Sequence, residues 1–202
     1  MEFSEVLSRR KSTRRFSPEQ ITPQQLETLL AAANASPVGS ALFGDIHLTV
    51  VTDREVLLTL CEAAGARFST AEKLRDVAGE VADRSPTRAG GKRPDLFYGA
   101  PTVIFVSHRR QTKQPGIEWA NVSAVVTHMH LAATDMGLGS CYMWGALESM
   151  RMLPEYDHTD LLGLPEDFEP LMALAVGYPA EASGAGGFRH PPLEINYIPE
   201  KP

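Results

Sequence analysis

Five cationic side chains fall within seven residues near the start of this chain, in Arg9-Arg10-Lys11-Ser12-Thr13-Arg14-Arg15-Phe16. The sequence as a whole is acidic, with a formal net charge of -6 and a pI near 5.5, so the basic run is a local feature. Such a cluster repels itself unless an anion sits among its members. Arginine forks interleaved with the hydroxyls of Ser12 and Thr13 suit a phosphate. A solvated charged face is the other reading of such a run. Phe16, and the apolar Phe3, Val6 and Leu7 of a short helix before the run, would anchor it to a core.

A second candidate is the loop Ala35-Ser36-Pro37-Val38-Gly39-Ser40-Ala41-Leu42-Phe43-Gly44, whose small residues let a backbone approach a flat ligand closely. Other chemistries find less support. His128 and His130 are two apart on an expected helix and so point to different faces, which rules out the i, i+4 pair of a zinc protease and favours core or interface roles. Asp157-His158-Thr159-Asp160 reads as surface. Neither a G-x-S-x-G elbow nor a G-x-x-x-x-G-K phosphate loop is present. Cys61 and Cys141 lie far apart and read as reduced thiols, and Cys141 falls in an expected buried strand, where thiols are inert.

The element that must position these groups runs from Trp119 to Gly145. Val122, Val125, Val126, Met129, Ala132, Ala133 and Met136 recur at helical spacing, and the opposite side carries Ser123, Thr127, Leu131 and Thr134, small enough to pack as well. Gly137 can end that helix in the left-handed conformation, and Leu138-Gly139-Ser140 turns the chain into a short strand, Cys141 to Trp144. Thr22-Pro23-Gln24-Gln25 predicts a capped helix ending near Asn34, and Asp53 can cap a helix over Arg54 to Ala64. Ile46–Val51, Thr102–Ser107 and Leu171–Val176 predict strands, the last two nearly continuous apolar runs and so buried on both faces. Residues 65–95 hold an expected helix near Thr70 to Val81 and then a polar, turn-rich stretch from Arg84 to Pro94, which is either a lid or disordered.

Charged residues make up 22% of the 202 and hydrophobic residues 43%, the balance of an ordinary globular domain with a sizeable core. The acidic balance argues against general binding to nucleic acid or anionic membrane. No stretch has the length of a membrane span and the first residues do not form a secretory signal, so a cytoplasmic protein is expected. Residues 1–180 are read as one domain and 181–202 as an arm. The arm has too little periodicity to fold alone, while Leu193, Ile195, Tyr197 and Ile198 are apolar enough to lie on a partner.

Five segments together, the basic run Arg9 to Phe16, the loop Ala35 to Ser40, Phe97-Tyr98-Gly99-Ala100-Pro101-Thr102, the central run through Gly137-Leu138-Gly139-Ser140, and Ala175-Val176-Gly177-Tyr178-Pro179, resemble the FMN-dependent nitroreductase family in that family's order. The resemblance implies an α+β fold with a mixed central sheet flanked by helices. It also implies an intertwined homodimer with the long helix at the interface, the C-terminal arm crossing to the partner, and two FMN sites between the subunits. Arg10, Lys11 and Ser12 then match residues at the FMN phosphate, and Arg14 the basic residue near N1 and O2 of the ring. Ser36 and Ser40 fall in the loop at the ring and ribityl chain, and Met143-Trp144-Gly145 matches the segment whose backbone faces N5. Arg189 matches a distal basic residue that reaches the phosphate. The chain departs from many relatives in reading Ser40-Ala41-Leu42-Phe43-Gly44 where they carry Asn followed by Gln-Pro-Trp, and Gly187 or Phe188 where they keep a second basic residue.

The activity so implied is that of an NAD(P)H oxidoreductase, in which NADH or NADPH reduces FMN and a small-molecule acceptor, a nitroaromatic, quinone or enone, is reduced in turn. No protein acid or base is required and no catalytic side chain is singled out. A non-catalytic flavin-binding or storage protein, or a reductive branch specialised for dehalogenation or flavin fragmentation, are the alternatives.

Overall fold

The helices begin where the sequence supplies caps. In the computed structural model, which describes residues 1–62, 95–180 and 193–198, Thr22 starts helix α2 (Pro23–Asn34) with a reciprocal capping box. Its Oγ1 accepts from the Gln25 N–H at 3.2 Å, and Gln25 Oε1 accepts from the Thr22 N–H at 2.8 Å. Asp53 caps α3 (Arg54–Leu60) through the Glu55 and Val56 amides, while α1 (Phe3–Arg9) has no side-chain cap. The long helix α4 (Ile117–Asp135) ends as its glycine predicts. Gly137 has φ +74°, its N–H reaches the Thr134 carbonyl at 3.0 Å, and the Leu138 N–H reaches that of Ala133 at 2.8 Å, a Schellman closure. A short helix α5 (Gly145–Met152) follows. The helix and loop expected within residues 65–94 lie outside the described residues.

Four strands, β1 (Ile46–Val51), β2 (Thr102–Arg109), β3 (Gly139–Met143) and β4 (Phe168–Gly177), form a sheet in the order β1-β2-β4-β3. All three ladders are antiparallel, and the parallel component is one bridge between Ser12 and Ser140. The central pair β2 and β4 is covered on both faces, as continuous apolar runs demand. On one face Leu29 of α2 and Val122, Val126, Met129 and Ala133 of α4 pack against Ile104, Val106, Leu174 and Val176. On the other, Leu57 and Leu60 of α3 and Leu147 and Met150 of α5 pack against Val103, Phe105, Ala173 and Ala175. Alternate residues along each strand thus serve two separate cores.

Two expectations are modified. Only Val6 of the apolar face of α1 is buried, whereas Phe3 is 66% and Leu7 51% exposed, so the described residues leave most of that face uncovered. The small-residue side of α4 is likewise covered only in part, with Ala120 and Thr127 exposed and Ala124 and Leu131 half-buried. Within the expected arm, residues 193–198 form neither helix nor strand and are exposed.

Candidate active site

The basic run lies along the outer edge of β3. The Thr13 N–H donates to the Ser140 carbonyl at 2.8 Å, next to the Ser12–Ser140 bridge. This approach explains Gly139, since a Cβ there would stand 2.8 Å from Thr13 Cγ2 and push the run off the sheet. Further on, Ser17 N–H donates to the Tyr178 carbonyl at 2.8 Å and Ala180 N–H to that of Arg15 at 3.1 Å. Gly177 makes room where a Cβ would lie 2.6 Å from Pro101 Cδ and 3.3 Å from Phe16 Cδ1. Four segments far apart in sequence therefore converge on one sheet edge. Beyond Ser140, that edge carries no further backbone bridge among the described residues.

On the α4 side of the sheet, Arg10 Nη1 lies 2.9 Å from His130 Nε2, and His130 Nδ1 lies 2.5 Å from Ser140 Oγ. Arginine only donates, so Nε2 must be the acceptor, and a neutral ring then carries its proton on Nδ1 and donates it to Ser140. Burial, and then the charge of Arg10, lower the His130 pKa to about 4, which agrees with a neutral ring. On the opposite side lie Ser12, Arg14, Tyr98 and Cys141. Burial raises the Cys141 thiol pKa, partly offset by the charge of Arg14 and a hydrogen bond with Ser12. Burial and then Cys141 raise the Tyr98 hydroxyl pKa, while Arg14 opposes them through its charge and a hydrogen bond. Tyr98 is held in an uncommon backbone state, φ +60°, by a turn in which Asp95 accepts from the Gly99 N–H at 2.7 Å and the Phe97 N–H at 3.1 Å. Cys61, accepting from the Leu96 N–H, is pushed up to about 12 by burial, so neither thiol is primed as a nucleophile.

The partners of the arginines separate into two kinds. Arg9 pairs with Glu5 at 2.9 Å, Arg54 with Asp95, Arg109 with Asp45 at 3.0 Å, Arg110 with Glu169, and Arg151 with Glu148 at 2.7 Å. Arg10 and Arg14 are held instead by an imidazole and a phenol. Among the described residues, neither of these two exposed arginines is met by a carboxylate.

The other sequence-selected residues lie elsewhere on the chain. Ser36 is buried, its Oγ donating to the Ala32 carbonyl at 3.2 Å and so closing α2. Ser40 is exposed with φ +55°, followed by Ala41 at φ +53°, and its Oγ donates to Gln114 Oε1 at 2.7 Å. This loop is pinned to α4 by a polar relay. Gly39 N–H donates to Asn121 Oδ1 at 2.8 Å, Asn121 Nδ2 to His108 Nε2 at 3.2 Å, and His108 Nδ1 to the Arg109 carbonyl at 2.7 Å. Asn121 and His130 are separated by about 14 Å along the helix at 1.5 Å per residue. One chain therefore strings Arg10, Ser12 and Arg14 along the edge of β3, Arg10 on one side of the sheet and Ser12 and Arg14 on the other, and keeps the loop apart from them. Met143 ends β3 with its side chain buried, Trp144 is 47% exposed, and a Cβ on Gly145 would meet nothing within 4 Å. Arg189 lies outside the described residues, and Lys11 flanks Arg10 in the run.

Sequence reasoning missed His130, Ser140 and Tyr98. For His130 a signal existed: it lies four residues after Val126, on the side of α4 that carries the apolar stripe, so of the two histidines it is the inward one. Tyr98 gave none, because its role follows from a backbone state that its residue type disfavours.

Known proteins resemble the chain along most of its length. The family model described as the Nitroreductase family matches residues 7–178. A protein of Archaeoglobus fulgidus, assigned as an NADH dehydrogenase/NAD(P)H nitroreductase, is 25% identical over 89% of this chain and 87% of its own length. A nitroreductase from Bacteroides fragilis solved with bound FMN superposes with a TM-score of 0.72 at 26% identity, covering 98% of this chain and 97% of that one. An FMN-bound nitroreductase from Desulfitobacterium hafniense, at 22% identity, shares the fold with a TM-score of 0.78 over 98% of both chains.

Proposed function

Because the chain belongs to the nitroreductase family, we propose that it is an FMN-dependent oxidoreductase that takes electrons from NADH or NADPH and passes them, by a ping-pong exchange, to a nitroaromatic, quinone or related small acceptor. The observation that carries this reading is the pair of exposed arginines, Arg10 and Arg14, anchored by neutral partners beside the outer edge of β3. Their donor set fits FMN, an anion at one end and a ring that gathers negative charge at the other. When bound, FMN supplies the two-electron chemistry, taking hydride from the nicotinamide and yielding it to the acceptor.

In this reading Arg10, Lys11 and Ser12 hold the phosphate, joined by Arg189 from the arm. Arg14 lies toward the N1 and O2 edge, where its positive charge favours electron uptake. The chain at Met143-Trp144-Gly145 offers backbone donors beside open space and lines the ring. No side chain acts as acid or base, and catalysis rests on orientation and electrostatics.

The separation between the basic run and the Ser36–Ser40 loop supports a homodimer in which two sites form between subunits. The half-covered side of α4, the exposed Phe3 and Leu7, and the exposed Leu193, Ile195, Tyr197 and Ile198 of the arm are the surfaces such a dimer would bury. No described helix is long and apolar enough to cross a membrane, and the two buried thiols suit a reducing cytoplasm.

The test is the visible absorption spectrum of the purified protein, followed anaerobically as NADH or NADPH is added and then a quinone. Flavin bands that bleach with the donor and return with the quinone are expected. A protein that neither carries nor takes up FMN would refute the proposal, and one whose bound flavin stays oxidised would be a flavin-binding protein without this activity.

A further inference from the structure

We infer that His130 is a positioning residue: as the neutral tautomer set by Ser140, it aims Arg10 outward while leaving the guanidinium charge for a phosphate monoester. This inference rests on the reading that Arg10 faces the FMN phosphate. It concerns a residue on α4 whose ring meets Arg10 on one side and Ser140 on the other.

The geometry leaves little freedom. Arg10 follows α1 at the start of the run, His130 is 4% exposed, and the Ser140 backbone is tied on its outer side to Thr13. His130 therefore bridges a fixed strand and a side chain that would otherwise sample many rotamers, and the anchoring lowers the ordering loss when an anion binds. Its chemistry matters as much as its place. The other arginines with ion pairs among the described residues are met by carboxylates. A Glu at position 130 could hold Arg10 equally well, and would cancel the charge that an anion needs. An imidazole with its lone pair on Nε2 and its proton committed to Ser140 is an acceptor without charge.

The test measures dissociation constants of FMN and riboflavin, by flavin fluorescence, for the wild type and for H130Q, H130E, H130A and R10A. The riboflavin-to-FMN ratio isolates the phosphate, and riboflavin affinity reports that the rest of the site is intact. Gln can present a neutral acceptor to Arg10, so H130Q should keep the ratio within about threefold, whereas H130E and R10A should lower it by about 10- to 100-fold, the range for a charged hydrogen bond. H130A should fall between. A ratio in H130E equal to that of the wild type, with R10A low, would overturn the inference. If H130E does not fold, the pair H130Q and H130A decides: recovery by Gln of what Ala loses supports positioning, and equal losses overturn it. A wild type with no preference for FMN over riboflavin would instead refute the phosphate assignment of Arg10 itself.

Discussion

Two polar relays fasten the long helix α4, one near each end, and they differ in what they leave unused. At Asn121 the relay is closed: an amide N–H, a carboxamide and an imidazole hand hydrogen bonds to a backbone carbonyl, and every group is neutral and spent. At His130 the relay ends in a cation, on a residue that is itself exposed. The first type holds a loop in position. The second type holds a charge in position, and that difference separates a structural polar network from one built to meet a ligand.

The largest effect should come from the closed relay. Asn121→Ala leaves the buried His108 Nε2 without its donor and takes away the acceptor of the Gly39 N–H, and should lower stability by about 3 kcal/mol, ~1–3 for the buried orphan and ~1 for the bond lost at the loop, with the riboflavin-to-FMN ratio unchanged. Urea denaturation checks the first part and flavin titration the second. A changed ratio would erase the distinction between the two ends.

The open relay predicts a pH effect of known sign. The pKa of His130 is lowered in the folded state to about 4, so below the ordinary histidine value the unfolded chain binds the proton first. The stabilisation is complete above about pH 6.5 and is lost as pH falls toward 4, up to about 3 kcal/mol. Urea midpoints across that window should fall less steeply in H130Q than in the wild type, and parallel curves would count against a buried neutral ring.

Replacing Arg10 and Ser12 together by Ala should weaken FMN binding by about 100-fold and riboflavin binding by less than about tenfold. Equal losses would mean that the run is a structural strap only. The smallest effect sharpens the contrast on the other side of the sheet: Arg14→Ala should lower the reduction potential of bound FMN by about 30 mV, or roughly 1.4 kcal/mol for two electrons. A potential that does not move would remove Arg14 from the ring edge.

What could be read from sequence was whatever local chemistry determines. The capping box at Thr22, strand Ile46–Val51 and the Gly137 helix end depend on neighbours a few residues away, and each stands in the structure as expected. The basic run and Gly139 were each visible, but that one exists to admit the other is a fact of tertiary contact, which spacing does not encode. The left-handed states of Ser40, Ala41 and Tyr98 were invisible because their residue types argue against them. Phe3 and Leu7 marked an apolar helix face correctly, but a sequence does not say how much of that face the rest of the fold covers. For the candidate site, residue types pointed to an anion, whereas the neutral anchoring of Arg10 and Arg14 required coordinates.

The strand-edge contact of Thr13 also constrains the order in which this protein can form. Residues 12–17 leave the ribosome before their partners Ser140, Gly177 and Tyr178 have been made. Until those are made, β3 has no edge to offer, and the basic segment must wait unpaired. Such long-range closure slows folding and leaves an open sheet edge exposed late in the process. The last step in building the fold would then be the step that assembles its cationic site, so a chain able to bind the anion has, by that token, finished folding.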